Sequence, residues 1–211
     1  MLRSSWQNLV RQQRAIAVIR ASHFNLGVRM ARAIAAADMK LIEITWNSDR
    51  AAELIQQLRS ELPNCVIGTG TLLTLDQLKD AIAAGAEFLF TPHVNLALIE
   101  TAVAQQVPII PGAFSPTEIV TAWQAGAASV KVFPVQALGG ADYIRSLQGP
   151  LGEIPLIPTG GVTIQNARSF LEAGAIAVGL SGQLFPQEAI AAQKWEVITQ
   201  QAQTLRQNLI L

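Results

Sequence analysis

One cysteine, two histidines and a single tyrosine are all that this 211-residue chain offers of those residue types. The lone thiol, Cys65, excludes an internal disulfide and fits a reducing compartment. His23 and His93 belong to no HExxH or His/Cys cluster, so no metal site is expected. Charge is scarce too: Asp, Glu, Lys and Arg make up 14% of the chain, and fifteen of each sign cancel. Without a Lys/Arg run, a nucleic-acid partner is not expected. Mean hydropathy is high at +0.32, yet no apolar run approaches the roughly 18 residues of a membrane span. The opening MLRSSWQNLVRQQR has no apolar stretch of signal-peptide type. The expectation is a cytoplasmic, enzyme-like domain with no membrane partner.

What is present is a deep core. Half of the residues are hydrophobic, and short β-branched runs alternate with Ala-rich stretches of helical length. Strands are expected at 15–20, 41–46, 66–69, 88–91, 109–111, 129–133, 156–159 and 177–180. Amphipathic helices are expected between them, a long closing helix at 188–209, and a short helix at 6–13 covering the floor. This order implies βαβ units and a parallel sheet. The segments AAGAEFLF, QAGAASVKVF and EAGAIAVGL repeat one unit, with Gly85, Gly126 and Gly174 spaced 41 and 48 residues apart. Glycine is favoured just past a helix because it takes the left-handed conformation without a Cβ clash. The α/β reading is a single (β/α)8 TIM barrel spanning 1–211 with a short N-terminal helix; an open doubly wound sheet is the other option.

Strand side chains alternate between faces. In Leu41–Asn47, Ile42, Ile44 and Trp46 suit the helix-covered face, so Glu43, Thr45 and Asn47 point inward. In Ser129–Phe133, Val130 and Val132 face outward, so Ser129, Lys131 and Phe133 point inward. One acid and one lysine therefore share a narrow interior, where each charge alone would cost several kcal/mol. A structural ion pair is the bland reading. The functional one draws on the strand ends, where Arg20, Thr71, Pro92-His93, Phe133-Pro134, Thr159-Gly160-Gly161 and Ser181-Gly182 gather on the face that carries active sites in this fold. The opposite loops are plain Ala-Gly-Ala turns.

A lysine attacks a ketone only as the free amine, which is about one molecule in a few thousand at pH 7. Desolvation among Val130, Val132 and Phe133 enriches that form, and Glu43 is placed to move protons. This is the minimum of an aldolase needing neither metal nor cofactor. Gly160-Gly161 and Ser181-Gly182 on adjacent strand ends suggest a phosphate cradle. Gly68-Thr69-Gly70-Thr71 lacks the Walker lysine and the dinucleotide spacing. Ser115, in Ser-Pro-Thr-Glu, reads as a helix cap.

In order along the chain, AVIR, LIEIT, IGTGTLL, FTP, IIPGAFSPTE, VKVFP, PTGGVT and VGLSG resemble the 2-keto-3-deoxy-6-phosphogluconate (KDPG) and 4-hydroxy-2-oxoglutarate (KHG) aldolases. The resemblance covers about Ala15 to Ser181. It implies a class I, homotrimeric aldolase releasing pyruvate and an aldehyde from a 2-keto acid. It implies that Lys131 is the Schiff-base lysine and Glu43 the general acid/base. Thr71 would bind the pyruvyl carboxylate, and Pro92 and Phe133 would shape its pocket. Gly160, Gly161 and Ser181 would hold phosphate, and Arg20 matches an arginine often found at the end of strand one. Asn47 occupies a substrate-binding position where better-known members carry a carboxylate-binding arginine, leaving that role to Arg20 or Arg50. His93 stands where glycine is common. Other readings are a phosphate-binding barrel enzyme of isomerase or thiamin phosphate synthase type, or a non-catalytic sugar-phosphate binder.

Overall fold

The computed structural model describes residues 1–210. A first helix α1 (Arg3–Gln13) leads into β1 (Ala15–Ile19), α2 (Phe24–Ala36), β2 (Leu41–Thr45), α3 (Ala51–Glu61), β3 (Val66–Gly70) and α4 (Leu75–Ala83). Next come β4 (Leu89–Phe90), α5 (Leu96–Ala104), β5 (Ile109–Ile110), β6 (Gly112–Ala113), α6 (Pro116–Gln124) and β7 (Val130–Val132). A 3-10 turn, α7 (Ala141–Leu151), β8 (Leu156–Pro158), α8 (Ala167–Glu172), β9 (Val178–Leu180), α9 (Gln187–Ala191) and α10 (Trp195–Asn208) complete the chain.

All strand pairings are parallel. They form a six-stranded sheet in the order β5-β4-β3-β2-β1-β9 and a three-stranded sheet β6-β7-β8. The fifth expected strand, 109–111, stops at Ile110, because Pro111 has no N–H to donate to a ladder, and a further short strand, β6, follows it in the other sheet. The sheets meet at two seams. At one, Ala128 N–H donates to Ile109 O at 2.9 Å; at the other, Ile176 N–H donates to Leu156 O at 3.0 Å, beside a Thr159–Gly179 bridge.

Alternation along the strands sorts the core into two layers. Ile42, Ile44, Val130 and Val132 pack beneath the helices. Leu41, Phe88, Phe90, Ile110 and Ile157 fill the interior, closed below by Trp6 and Val10 of α1. Trp6 is fully buried; its Nε1–H donates to Ser129 Oγ at 3.1 Å, and its ring lies 5.0 Å from that of Phe88. Phe88 in turn meets Phe90 edge-on at 5.9 Å. The helix expected to cover the floor is thus a plug with an aromatic column above it.

Gly85, Gly126 and Gly174 adopt φ of +88°, +101° and +105°, as the repeat implies. The long closing helix is a correction: it breaks into α9 and α10. Gln193 takes φ +53°, Lys194 N–H caps Ala189 O at 2.9 Å, and the reversal packs Trp195 against the core. Among the described residues no helix is long and apolar enough to cross a membrane.

Candidate active site

Residues near the C-terminal ends of the strands enclose a cavity of about 410 Å³. Glu43, at the centre of β2, and Lys131, at the centre of β7, both reach it, only 2% and 7% exposed. They form no salt bridge and no hydrogen bond with each other, so the interior ion pair weighed above is not what holds them. Instead Lys131 Nζ sits 4.3 Å from the Phe133 ring centre and 5.9 Å from that of Phe90, at the top of the aromatic column. The Glu43 carboxyl lies against Gly70, where an added Cβ would come within 1.9 Å of Oε1.

The electrostatics follow from this enclosure. Burial drives the Lys131 amine below its ordinary range; Glu43 opposes that shift and Arg20 adds to it. Burial drives the Glu43 carboxyl upward, against the pull of Lys131 and then Arg20. Burial thus disfavours the charged form of each group.

Arg20, Thr71, Pro92 and Phe133 line the cavity, as do Gly160, Gly161 and Ser181 just past the ends of β8 and β9. Thr71 holds φ +64°, a strained conformation for a threonine that costs on the order of 1–3 kcal/mol and is typically kept at binding sites. Asn47 is the exception among the expected residues. The strand ends at Thr45, and Asn47 is exposed on the following turn, outside the cavity lining. The inward alternation fails there because the chain has already left the pleat. Arg50 is engaged elsewhere: it pairs with Glu53 and stacks over Phe24 at 4.6 Å. Arg20 is thus the guanidinium that the cavity contains.

Neither histidine lines the cavity. His23 Nδ1 caps α2 by accepting from Leu26 N–H at 3.3 Å, and the His93 carbonyl accepts from the Thr91 hydroxyl at 2.6 Å. Ser115 and Glu118 form a reciprocal capping box on α6. A larger cleft of about 1030 Å³ lies at the opposite end, between the C-termini of α1, α2 and α10. Two of its cations are spent on helix ends: Arg14 donates to Leu209 O at 2.5 Å, and Arg206 to Ala37 O at 2.8 Å.

A model of the family described as KDPG and KHG aldolase matches residues 6–201. The chain belongs to the KDPG and KHG aldolase family. It is accordingly an aldehyde-lyase, and class I chemistry fits it. The 2-dehydro-3-deoxy-phosphogluconate aldolase of Treponema pallidum (strain Nichols) is 32% identical over 186 residues, covering 88% of this chain and 89% of that one. The KDPG aldolase of Legionella pneumophila, solved with pyruvate captured at low pH as a covalent carbinolamine intermediate, superposes with a TM-score of 0.85 at 28% identity, covering 91% and 93% of the two chains. Thiamine phosphate pyrophosphorylase from Pyrococcus furiosus, at TM-score 0.67 and 18% identity over 92% and 98% of the chains, shares the fold alone.

In this aldolase the cavity also takes in residues that the sequence did not single out: Val18, Val162, Gly179 and Gln183. Counting back in twos from Arg20 and Ser181 reaches Val18 and Gly179, so that signal was present. Val162 and Gln183 lie in loops, where no periodicity applies.

Proposed function

We propose that Lys131 forms a Schiff base with the C2 carbonyl of a 2-keto-3-deoxy-6-phospho sugar acid or of 4-hydroxy-2-oxoglutarate, releasing pyruvate and an aldehyde. The observation that carries this reading is a lysine 7% exposed, held against two aromatic rings, sharing a cavity with an acid 2% exposed to which it is not paired. A structural lysine in a dry interior would be neutralised by a partner; this one is left to react.

The amine adds to C2 to give a carbinolamine. Protonated Glu43 supplies the proton with which the hydroxyl leaves as water, and the iminium remains. The Glu43 carboxylate then takes the C4 hydroxyl proton, C4–O closes to the aldehyde, and the C3–C4 electron pair moves into an enamine. Glu43 returns the proton to C3, and water hydrolyses the pyruvyl iminium. A single acid with a raised pKa serves each transfer in turn. Arg20 and Thr71 hold the substrate carboxylate. Pro92 and Phe133 bound the pyruvyl group, and Gly160, Gly161 and Ser181 receive the phosphate. With Asn47 outside the cavity, the contact given elsewhere by an arginine at that position falls to Arg20.

The same reading takes the two sheets as one (β/α)8 barrel in a single domain, since hydrogen bonds cross both seams. It adopts the homotrimer on resemblance and a cytoplasmic setting on the single cysteine. Borohydride reduction in the presence of pyruvate tests the central step. A stable adduct on Lys131, lost with all cleavage activity in a folded Lys131→Ala variant, is the expected result. Cleavage persisting in that variant would remove Lys131 from the mechanism.

A further inference from the structure

The turn between β8 and α8 carries Gly160 and Gly161 at φ +84° and +91°. Two consecutive glycines are the most mobile backbone a chain can place at a site, and fixing them costs the most entropy. Here their carbonyls are tied from two directions. Gln136 N–H donates to Gly160 O at 3.1 Å, and Asn166 Nδ2 donates to Gly161 O at 3.2 Å. Asn166 closes the turn twice more: its Oδ1 accepts from Thr163 N–H at 2.7 Å, and its own N–H donates to Thr163 Oγ1 at 3.0 Å. In a planar trans peptide the N–H points opposite to the C=O. Holding the Gly160 and Gly161 carbonyls therefore also fixes the Gly161 and Val162 N–H groups. Both of those residues line the cavity, and among the described residues neither N–H has a hydrogen-bond partner. Asn166 itself lies outside the lining.

We propose that Asn166 is a positioning residue for the phosphoryl end of the substrate, clasping the Gly161–Thr163 turn so that two free main-chain N–H groups are presented to a phosphate. This rests on the reading above, in which the same turn receives the substrate phosphate. The residue then sets the preference for phosphorylated over unphosphorylated keto acids without touching either.

The test compares three reactions in wild type and Asn166→Ala: KDPG cleavage, KHG cleavage and borohydride trapping of pyruvate. KM for KDPG is expected to rise about tenfold or more, as loss of charge-assisted contacts implies, with kcat, KM for KHG and pyruvate trapping near their wild-type values. Inorganic phosphate should inhibit the wild type competitively against KDPG and bind the variant more weakly. Asn166→Asp keeps the acceptor for Thr163 N–H but loses the donor to Gly161 O, and should show the same selective defect if Asn166→Ala folds poorly. Equal changes for KDPG and KHG, or no change for KDPG, overturn the proposal. A wild type that traps no pyruvate overturns the underlying reading, and this inference with it.

Discussion

Replacing Gly70 with alanine tests the placement of the catalytic acid more sharply than removing the acid does. Gly70 closes β3 opposite Thr45, and its backbone is not in the left-handed region, so only space forbids a side chain. A Cβ there would meet Glu43 Oε1 at 1.9 Å, Cδ at 2.6 Å and Phe90 Cβ at 3.1 Å. Reaching ordinary contact at 3.4 Å requires the carboxyl to retreat by about 1.5 Å. Among the described residues no hydrogen bond anchors the Glu43 carboxyl, and the side chain lines the open cavity. The side chain should therefore swing aside, and the stability cost should fall at or below the roughly 1–3 kcal/mol of a core overpacking. Misplacement of a reacting group by about 1 Å can cost on the order of 10²-fold, within the 10²–10⁴-fold that proton transfer supplies. Coupled detection of released pyruvate should thus show kcat reduced by roughly 10²-fold or more, while pyruvate still becomes trapped on Lys131 at long incubation. Wild-type kcat in a folded Gly70→Ala protein would refute the idea that the carboxyl works from where the structure puts it.

Arg20→Met should move both limbs of the pH–rate profile to higher pH. Arg20 lowers the pKa of Lys131 and of Glu43 alike, so its loss raises both; unmoved limbs would detach Arg20 from the pair. Lys131→Met should gain stability in chemical denaturation near neutral pH. The folded-state pKa is depressed, so the unfolded chain binds the extra proton and wild-type stability climbs as pH rises from the depressed value toward the ordinary 10.5. That climb should vanish in the variant, and a persisting one would contradict the assignment. Trp6→Phe strands the buried Ser129 hydroxyl and should cost about 1–3 kcal/mol in the same assay; an unchanged midpoint would argue against the plug.

Much of this was legible because two periods govern the chain. Alternation placed Glu43 and Lys131 inward and Ile42, Ile44, Val130 and Val132 outward, and it holds wherever a strand is regular. It misled at Asn47, two residues past the end of β2, where the backbone turns and the parity of the strand no longer applies. The strand β6 beyond Pro111 and the break at Gln193 were hidden for a similar reason: each is a local backbone event that composition does not mark. Gly70 reads as part of a Gly-Thr-Gly-Thr string, and only the neighbouring carboxyl shows why no side chain fits there. The clasp of Asn166 joins a side chain to main-chain groups three and five residues away, a relation that spacing does not reveal until the turn is folded.

The bond from Trp6 to Ser129 spans 123 residues of sequence, and Gln7 reaches Ala128 O across 121. The floor can therefore seal only after the later half of the chain has arranged itself. An interior still open from below would lack part of the burial that lowers the Lys131 pKa. During refolding, competence to capture pyruvate should lag behind the recovery of helical signal; simultaneous return of the two would show that the seal is not what makes the amine reactive.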